Sequence, residues 1–294
     1  MAPRIDMEEL AASYGWSYAV LQSNPELRRI FQRAVKESWT APRFVAAIRN
    51  TKWYRTHGES ARQALILQKT DPAEWNRRIK QMRYHIRAVY GEIAGGMRLN
   101  PKFLDKAAVQ AVMFGWTEEE VRFHVARATD YGRLMNQGRL GGQAGQLEQF
   151  IRRALGEYGV KASNRWIATR IKNSMMGLDS QEAILETIKR WAKAQYRAFA
   201  DDIDRGMTVQ DIAEPYRQSM ARLLELNPES VDLNDSMIRR ALTATDQNGK
   251  PVAMPLWEFE NRVREDPRWV RTKNAQDTFM SVGRSILTQM GLVA

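Results

Sequence analysis

The residues whose type and spacing could do chemistry in this sequence are basic. Between Arg43 and Arg87 stand eleven lysines and arginines: Arg43, Arg49, Lys52, Arg55, Arg62, Lys69, Arg77, Arg78, Lys80, Arg83 and Arg87. Only Glu59, Asp71 and Glu74 oppose them, so the stretch carries +8 in a chain of net charge +11. Such a concentration suits a polyanion or an acidic protein surface. Trp53, Tyr54, Trp75 and Tyr84 are interleaved with the bases, a mixture that can hold single-stranded nucleic acid by stacking and phosphate contact. Lys80, Arg83 and Arg87 recur at i, i+3 and i+7, on one side of a helix. Together with Arg49, Lys52 and Arg55 they form the candidate contact set. A plainer reading competes: aromatics at helix starts usually staple and pack, which would assign Trp53 and Trp75 to a core, and a basic run can be a solvated face.

Other chemistries find little to stand on. His57, His85 and His124 are each alone, without a second ligand at metal-binding spacing, so no metal site is expected. The Gly91–Gly96 and Gly138–Gly145 runs lack the Gly-Lys-Ser/Thr ending of a phosphate-cradling loop, and no Gly-x-Ser-x-Gly elbow occurs. Glu118, Glu119 and Glu120 fit the positive end of a helix dipole better than a glycosidase pair. They also make Thr117–Arg133 a poor recognition helix, since acids in its first turn would repel phosphate. With no cysteine there are no disulfides, thiolate sites or cysteine nucleophiles, which suits a reducing compartment. Neither a cofactor nor an enzymatic activity is expected.

The elements that position the bases are helices, and their ends are written into the sequence. Trp39-Thr40 leads to Phe44 and Ile48: a bulky residue, a capping residue, then apolar residues at helical spacing. Trp116-Thr117 leads in the same way to Val121 and Val125, Met207-Thr208 to Ile212 and Tyr216, and Leu178-Asp179 to Ala183. Glu120, Glu182 and Asp211 occupy the capping-box position of the last three, and Gly115, Gly177 and Gly206 precede them as left-handed terminators. Asn24-Pro25-Glu26, Thr70-Asp71-Pro72 and Asn100-Pro101 are further start signals.

Read in order, an opening segment over 5–22 carries Ile5, Leu10, Tyr14, Tyr18 and Leu21, with a break at Gly15-Trp16. Helices follow from Pro25, from Thr40 to Arg49, from Trp53 through Leu67, from Pro72 to the Gly95-Gly96 stop and from Pro101 to Gly115. The remaining ones are expected at 147–157, 162–175, 180–203, 208–226 and 234–244. Thr245–Lys250 reads as a polar turn, a plain loop or one short β-hairpin near 245–252. The fold class expected is all-α, an array of stacked helical hairpins. No run nears the roughly eighteen apolar residues of a spanning helix, and the first residues lack a secretory profile. Five segments are proposed: an N-terminal module (1–70), a basic helix and hairpin (71–137), a glycine-rich hinge (138–145), a helical middle (146–205) and a C-terminal module (206–294). The last echoes the first: Asn24-Pro25-Glu26 with Asn227-Pro228-Glu229, and Phe44, Ile48, Trp53, Arg55-Thr56 and Ala61 with Phe259, Val263, Trp269, Arg271-Thr272 and Ala275.

These residues resemble virion proteins of tailed bacteriophages, particularly those of actinobacterial hosts. The matching segments are Asn24-Pro25-Glu26-Leu27 through Trp39-Thr40, Thr51-Lys52-Trp53-Tyr54-Arg55, Thr70-Asp71-Pro72-Ala73, Gly206-Met207-Thr208-Val209-Gln210-Asp211-Ile212-Ala213, and Asp266-Pro267-Arg268-Trp269 with Thr272 and Ala275. The resemblance implies a non-enzymatic tail or internal virion protein, made in the host cytoplasm. Its expected partners are other virion proteins or copies of itself, with packaged DNA as a further partner of the basic stretch. Larger relatives join such modules to tape-measure-like or lytic parts; no lytic domain is recognisable here.

Overall fold

The structure, a computed structural model, describes residues 6–95 and 99–290. Ile5 and Gly96, invoked above, lie outside the described residues. The chain is all-α, with eighteen α-helices and no β-strand among the described residues. It divides into two compact units, one comprising Met1–Gly145 and Met175–Leu178, the other Gln146–Ser174 and Asp179–Ala294.

The first ten helices are α1 (Met7–Ser13), α2 (Tyr18–Ser23), α3 (Pro25–Lys36), α4 (Ala41–Arg49), α5 (Lys52–Thr56), α6 (Glu59–Thr70), α7 (Pro72–Ala94), α8 (Pro101–Phe114), α9 (Glu118–Ala128) and α10 (Tyr131–Asn136). Leu21, Leu27, Phe31, Phe44, Ile48 and Trp53 form one buried cluster, tied together by rings: Tyr14 stacks on Phe44 at 4.7 Å and Phe31 meets Phe44 edge-on at 6.2 Å. The long α7 packs on α6, α8 and α9 through Trp75, Ile79, Ile86, Val89 and Ile93. The segment expected to run from Trp53 through Leu67 is two helices. His57 turns extended at its end, and Arg62 donates from its guanidinium to the Tyr54 and His57 carbonyls, so a side chain satisfies the end that a continuing helix would have satisfied.

The remaining helices are α11 (Gly142–Glu157), α12 (Asn164–Met175), α13 (Gln181–Gln195), α14 (Ala200–Asp204), α15 (Val209–Leu224), α16 (Ser236–Leu242), α17 (Leu256–Arg264) and α18 (Lys273–Gln289), with 3-10 turns at Arg197–Phe199, Pro228–Ser230 and Trp269–Arg271. The helix expected over 180–203 breaks at Tyr196, whose buried ring donates its hydroxyl to the Gly159 carbonyl at 2.8 Å. The polar turn at 245–252 closes by one isolated bridge, Thr245 to Pro251, so it has a hairpin's outline without strands. The core of this half of the chain joins α15 to α17, with Tyr216 edge-on to Phe259 at 5.2 Å and its hydroxyl bonded to the Met254 carbonyl.

The corners follow the capping code closely. Thr117 and Thr208 form full capping boxes: Thr117 Oγ1 accepts from the Glu120 amide and the Thr117 amide donates to Glu120 at 2.8 Å, with Asp211 doing the same for Thr208. Before each, a glycine takes positive φ (Gly115 +64°, Gly206 +100°), and the bulky residue's amide reaches five residues back, Trp116 to Ala111 and Met207 to Asp202, the bond that closes a Schellman end. Trp39 to Ala34 repeats it with Ser38 at φ +51°, and Trp16 to Ala11 with Gly15 at +74°. Gly15-Trp16-Ser17 is thus a further copy. Two caps differ from expectation. Thr40 makes no side-chain cap: Pro42 has no amide to offer, and the Arg43 amide is not taken by the hydroxyl either. At the fourth corner Ser180 caps α13, while Asp179 pairs with Arg170 at 3.0 Å.

Within the run expected to be a hinge, Gly141, Gly142 and Gly145 are closely packed, while Gly138 has open space around it. Gly142 opens α11 at φ +57°, and a Cβ there would collide with the Glu92 carbonyl. One on Gly95 would meet the Gly141 Cα at 2.6 Å.

Candidate interaction surfaces

Built from its residues, the basic stretch separates into two groups. Arg49, Lys52 and Arg55 surround the turn between α4 and α5, where all three are exposed. That turn is fixed by two side chains. Thr51, buried at 2% exposure, donates to the Ile48 carbonyl at 2.6 Å and accepts the Tyr54 amide at 3.0 Å. The Glu26 carboxylate, from the first turn of α3, takes the amides of Lys52 (3.0 Å) and Trp53 (3.1 Å), which hold it below the ordinary glutamate range. Arg55 is drawn back onto the Asn50 carbonyl at 2.6 Å, while Arg49 and Lys52 extend from the corner without an ion pair among the described residues.

Lys80, Arg83 and Arg87 lie on α7, but only two of them face outward. Arg83 pairs with Asp105 of α8 at 3.0 Å and its Nε is buried without a hydrogen-bond partner among the described residues, so it joins helix to helix. Lys80 and Arg87 are exposed and without an ion pair among the described residues, with Tyr84, 59% exposed, between them. Elsewhere in the stretch, Arg77 and Arg78 share Glu74, Arg43 covers the Trp39 ring at 4.4 Å, and Arg62 covers Tyr54 at 3.9 Å. Trp53 and Trp75 are core residues, at 8% and 7% exposure. Of the four interleaved aromatics, Tyr84 is the one available to stack on a ligand. α7 packs on α6, α8 and α9, and α5 packs on α4, so nothing described gathers the six candidates into one site.

The histidines are parts of corners. His57 stacks on Trp53 at 5.2 Å, His124 lies flat on Trp116 at 3.9 Å, and His85 reaches Glu118 at 2.8 Å. Among the described residues, no three His, Asp or Glu side chains converge on a cation-sized position. A cleft of about 480 Å³ between α6 and α8 is lined by Ser60, Gln63, Leu67, Arg78 and Val112, and Gln81, His85 and Trp116 line its continuation. Its Arg78 is already engaged by Glu74 and its His85 by Glu118.

The C-terminal segment repeats the N-terminal corner, in a register the sequence pattern missed. Thr272, 5% exposed, donates to the Trp269 carbonyl at 2.7 Å and accepts the Ala275 amide at 3.1 Å. Glu225 takes the amides of Lys273 (3.1 Å) and Asn274 (2.9 Å). The structural equivalents are therefore Thr51-Lys52 and Thr272-Lys273, with Ile48 matching Trp269, whereas the pattern had set Trp53 against Trp269. The clamping acid is Glu225 and not Glu229, which stays in the 3-10 turn at Pro228–Ser230.

The surface that sequence reasoning passed over lies beyond this corner. Of sixteen large apolar side chains exposed among the described residues, nine fall within 256–290: Leu256, Trp257, Val270 and six on or just after α18. The signal was present as Phe279, Val282, Ile286 and Met290 at helical spacing, a pattern that by itself predicts a buried face. No helix is long and apolar enough to cross a membrane among the described residues. Comparison with protein-family models, curated proteins and solved structures finds no match.

Proposed function

We propose that this chain is a non-enzymatic structural component of a tailed-phage particle, placed in the tail or carried inside, and that it works by presenting helical faces to other proteins. The observation that carries the contact role is the concentration of exposed apolar side chains in 256–290, on helices held at fixed corners. Exposed apolar surface of this extent on a folded chain marks a place where another surface docks. The virion setting is supported by the resemblance of the end segments. Mass spectrometry of purified particles tests it: the protein should be present at structural copy number, and its absence would refute the virion setting.

A second reading has its own observation. Lys80, Tyr84 and Arg87 put two exposed cations on either side of an exposed ring along α7, an arrangement that suits nucleic acid. Binding of this kind should weaken steeply with salt, by orders of magnitude between low and moderate concentration for several phosphate contacts. A packed helical interface should change little.

A further inference from the structure

The last helix has features that nothing among the described residues uses. The large apolar residues Phe279, Val282, Ile286, Leu287 and Met290 run along one side of α18 and are 39–67% exposed. The two charged residues of this outer part, Asp277 and Arg284, are seven apart and lie together on one flank of the stripe, roughly 100–120° round the helix from Gly283. In the middle of the stripe stands Gly283. A glycine inside a helix is disfavoured relative to alanine, yet a Cβ placed on Gly283 would meet no atom within 4 Å. Neither backbone geometry nor packing among the described residues calls for glycine there. A second helix crossing closely at that point would.

The pattern around Gly283 says which helix. Bulky apolar residues stand four and three positions before it (Phe279, Met280) and three and four after it (Ile286, Leu287). This is symmetric under reversal of the helix direction. We infer that α18 pairs with α18 of a second copy, antiparallel, the two crossing at Gly283. Phe279 of either copy then opposes Leu287 of the other and Met280 opposes Ile286, while Val282 and Arg284 meet at the rim, where the charge keeps its water. Antiparallel packing also opposes the two helix dipoles. Taking an aromatic side chain's roughly 150–250 Å² as the ceiling for each, the exposed fractions supply at most on the order of 600 Å² per copy. Buried in full, the pair would cover about 1,200 Å², the lower edge of a specific interface. Because the stripe carries no charge, it offers an acidic or basic partner no complementarity, and a like helix is the surface it fits. The clamp of Thr272 and Glu225 fixes the first turn of α18 to its own unit, so the stripe is presented in a defined direction.

This inference rests on the contact role proposed above, and it can fail separately. The full chain in sedimentation velocity should show a monomer–dimer equilibrium with a dissociation constant on the order of micromolar. Ile286→Glu should raise that constant more than about 100-fold, since the lost contact counts twice in a symmetric pair. Ser281→Glu, on the charged side, should leave it unchanged, and both variants should keep the parent circular dichroism. The chain has no cysteine, so Phe279→Cys and Leu287→Cys chains mixed and oxidised should form the mixed disulfide in preference to either homodimer. A chain that stays monomeric, a dimer indifferent to Ile286→Glu, or preferred homodisulfides would overturn the antiparallel pair. If the chain is monomeric but Ile286→Glu removes it from particles, self-pairing falls and the contact role stands. If the chain is dimeric but absent from particles, self-pairing stands and the virion setting falls.

Discussion

Replacing Thr51 or Thr272 by valine removes the same two hydrogen bonds from two corners that lead into very different helices. Each threonine is buried, accepts one helix-start amide and donates to a carbonyl three residues back. Valine keeps the shape and deletes both bonds. Loss of the cap costs about 1 kcal/mol. The carbonyl loses one donor but keeps the threonine's own amide, at 3.0 Å from Ile48 and 2.9 Å from Trp269, so its penalty stays near the low end of roughly 1–3 kcal/mol. The total is about 2 kcal/mol at either site. After Thr51 comes α5, whose Trp53 is in the core, so that loss should register in the whole N-terminal unit as a fall in melting temperature of about 6 °C. After Thr272 comes α18, where Ala275 is the one buried residue. A single helix of this length is marginal in water, so the same loss should appear as local opening. Hydrogen exchange at low chain concentration should show protection of the α18 amides falling about 30-fold, with α15 and α17 unchanged. If Thr272→Val instead lowers the melting of its entire unit while α18 exchange stays put, the helix is not held by its cap and the reasoning fails.

Other named contacts set further outcomes. Glu26 is held below the ordinary glutamate range by the Lys52 and Trp53 amides, so the unfolded chain binds its proton more readily. Its stabilisation is complete above about pH 4.3 and is lost as pH falls through the lower folded value; Glu26→Gln should flatten the acid limb of a melting-temperature profile. Gly142→Ala would drive a Cβ into the Glu92 carbonyl, whereas Gly138, also left-handed at φ +62°, has open space around it. Chemical denaturation should therefore show at least about 3 kcal/mol lost at Gly142 and about 1–2 kcal/mol at Gly138. Lys80→Glu with Arg87→Glu should leave stability within about 0.5 kcal/mol and abolish any salt-sensitive DNA retention on a filter. Asp105→Ala, which frees Arg83, should cost under about 1 kcal/mol because the pair is half-exposed.

What could be read from the sequence is what neighbouring residues decide among themselves. Gly115-Trp116-Thr117 with Glu120, and Gly206-Met207-Thr208 with Asp211, contain the terminator, the bulky residue, the cap and its reciprocal acid within six residues, and they fold as written. The starts led by Asn24-Pro25, Asp71-Pro72 and Asn100-Pro101 are local in the same sense. Errors appear where a distant group competes. Tyr196 breaks a strongly periodic helix because its hydroxyl is bonded 37 residues away. Asp179 abandons its cap for Arg170, and a neighbouring serine takes over.

The same distinction explains why the basic stretch was only half legible and α18 not at all. Charge and spacing placed Lys80, Arg83 and Arg87 on one helix, but spacing could not reveal that Asp105, on the next helix, takes Arg83 out of the set. Nor could it show that Glu26 and Glu225, 26 and 48 residues from the amides of Lys52 and Lys273, build matching corners at the two ends of the chain. For α18 the difficulty is deeper. An apolar stripe records that a helix face is covered, and the record is the same whether the covering surface belongs to the same chain or to another. Exposure in the folded chain separates the cases. Trp75 and Phe259 belong to periodic stripes and are buried by their own chain, whereas Ile286 and Met290 belong to an equally regular stripe and are half or more exposed. In the proposed pairing, the hydrophobic pattern of α18 is a statement about an assembly, and the glycine at its centre specifies how closely the next helix must come.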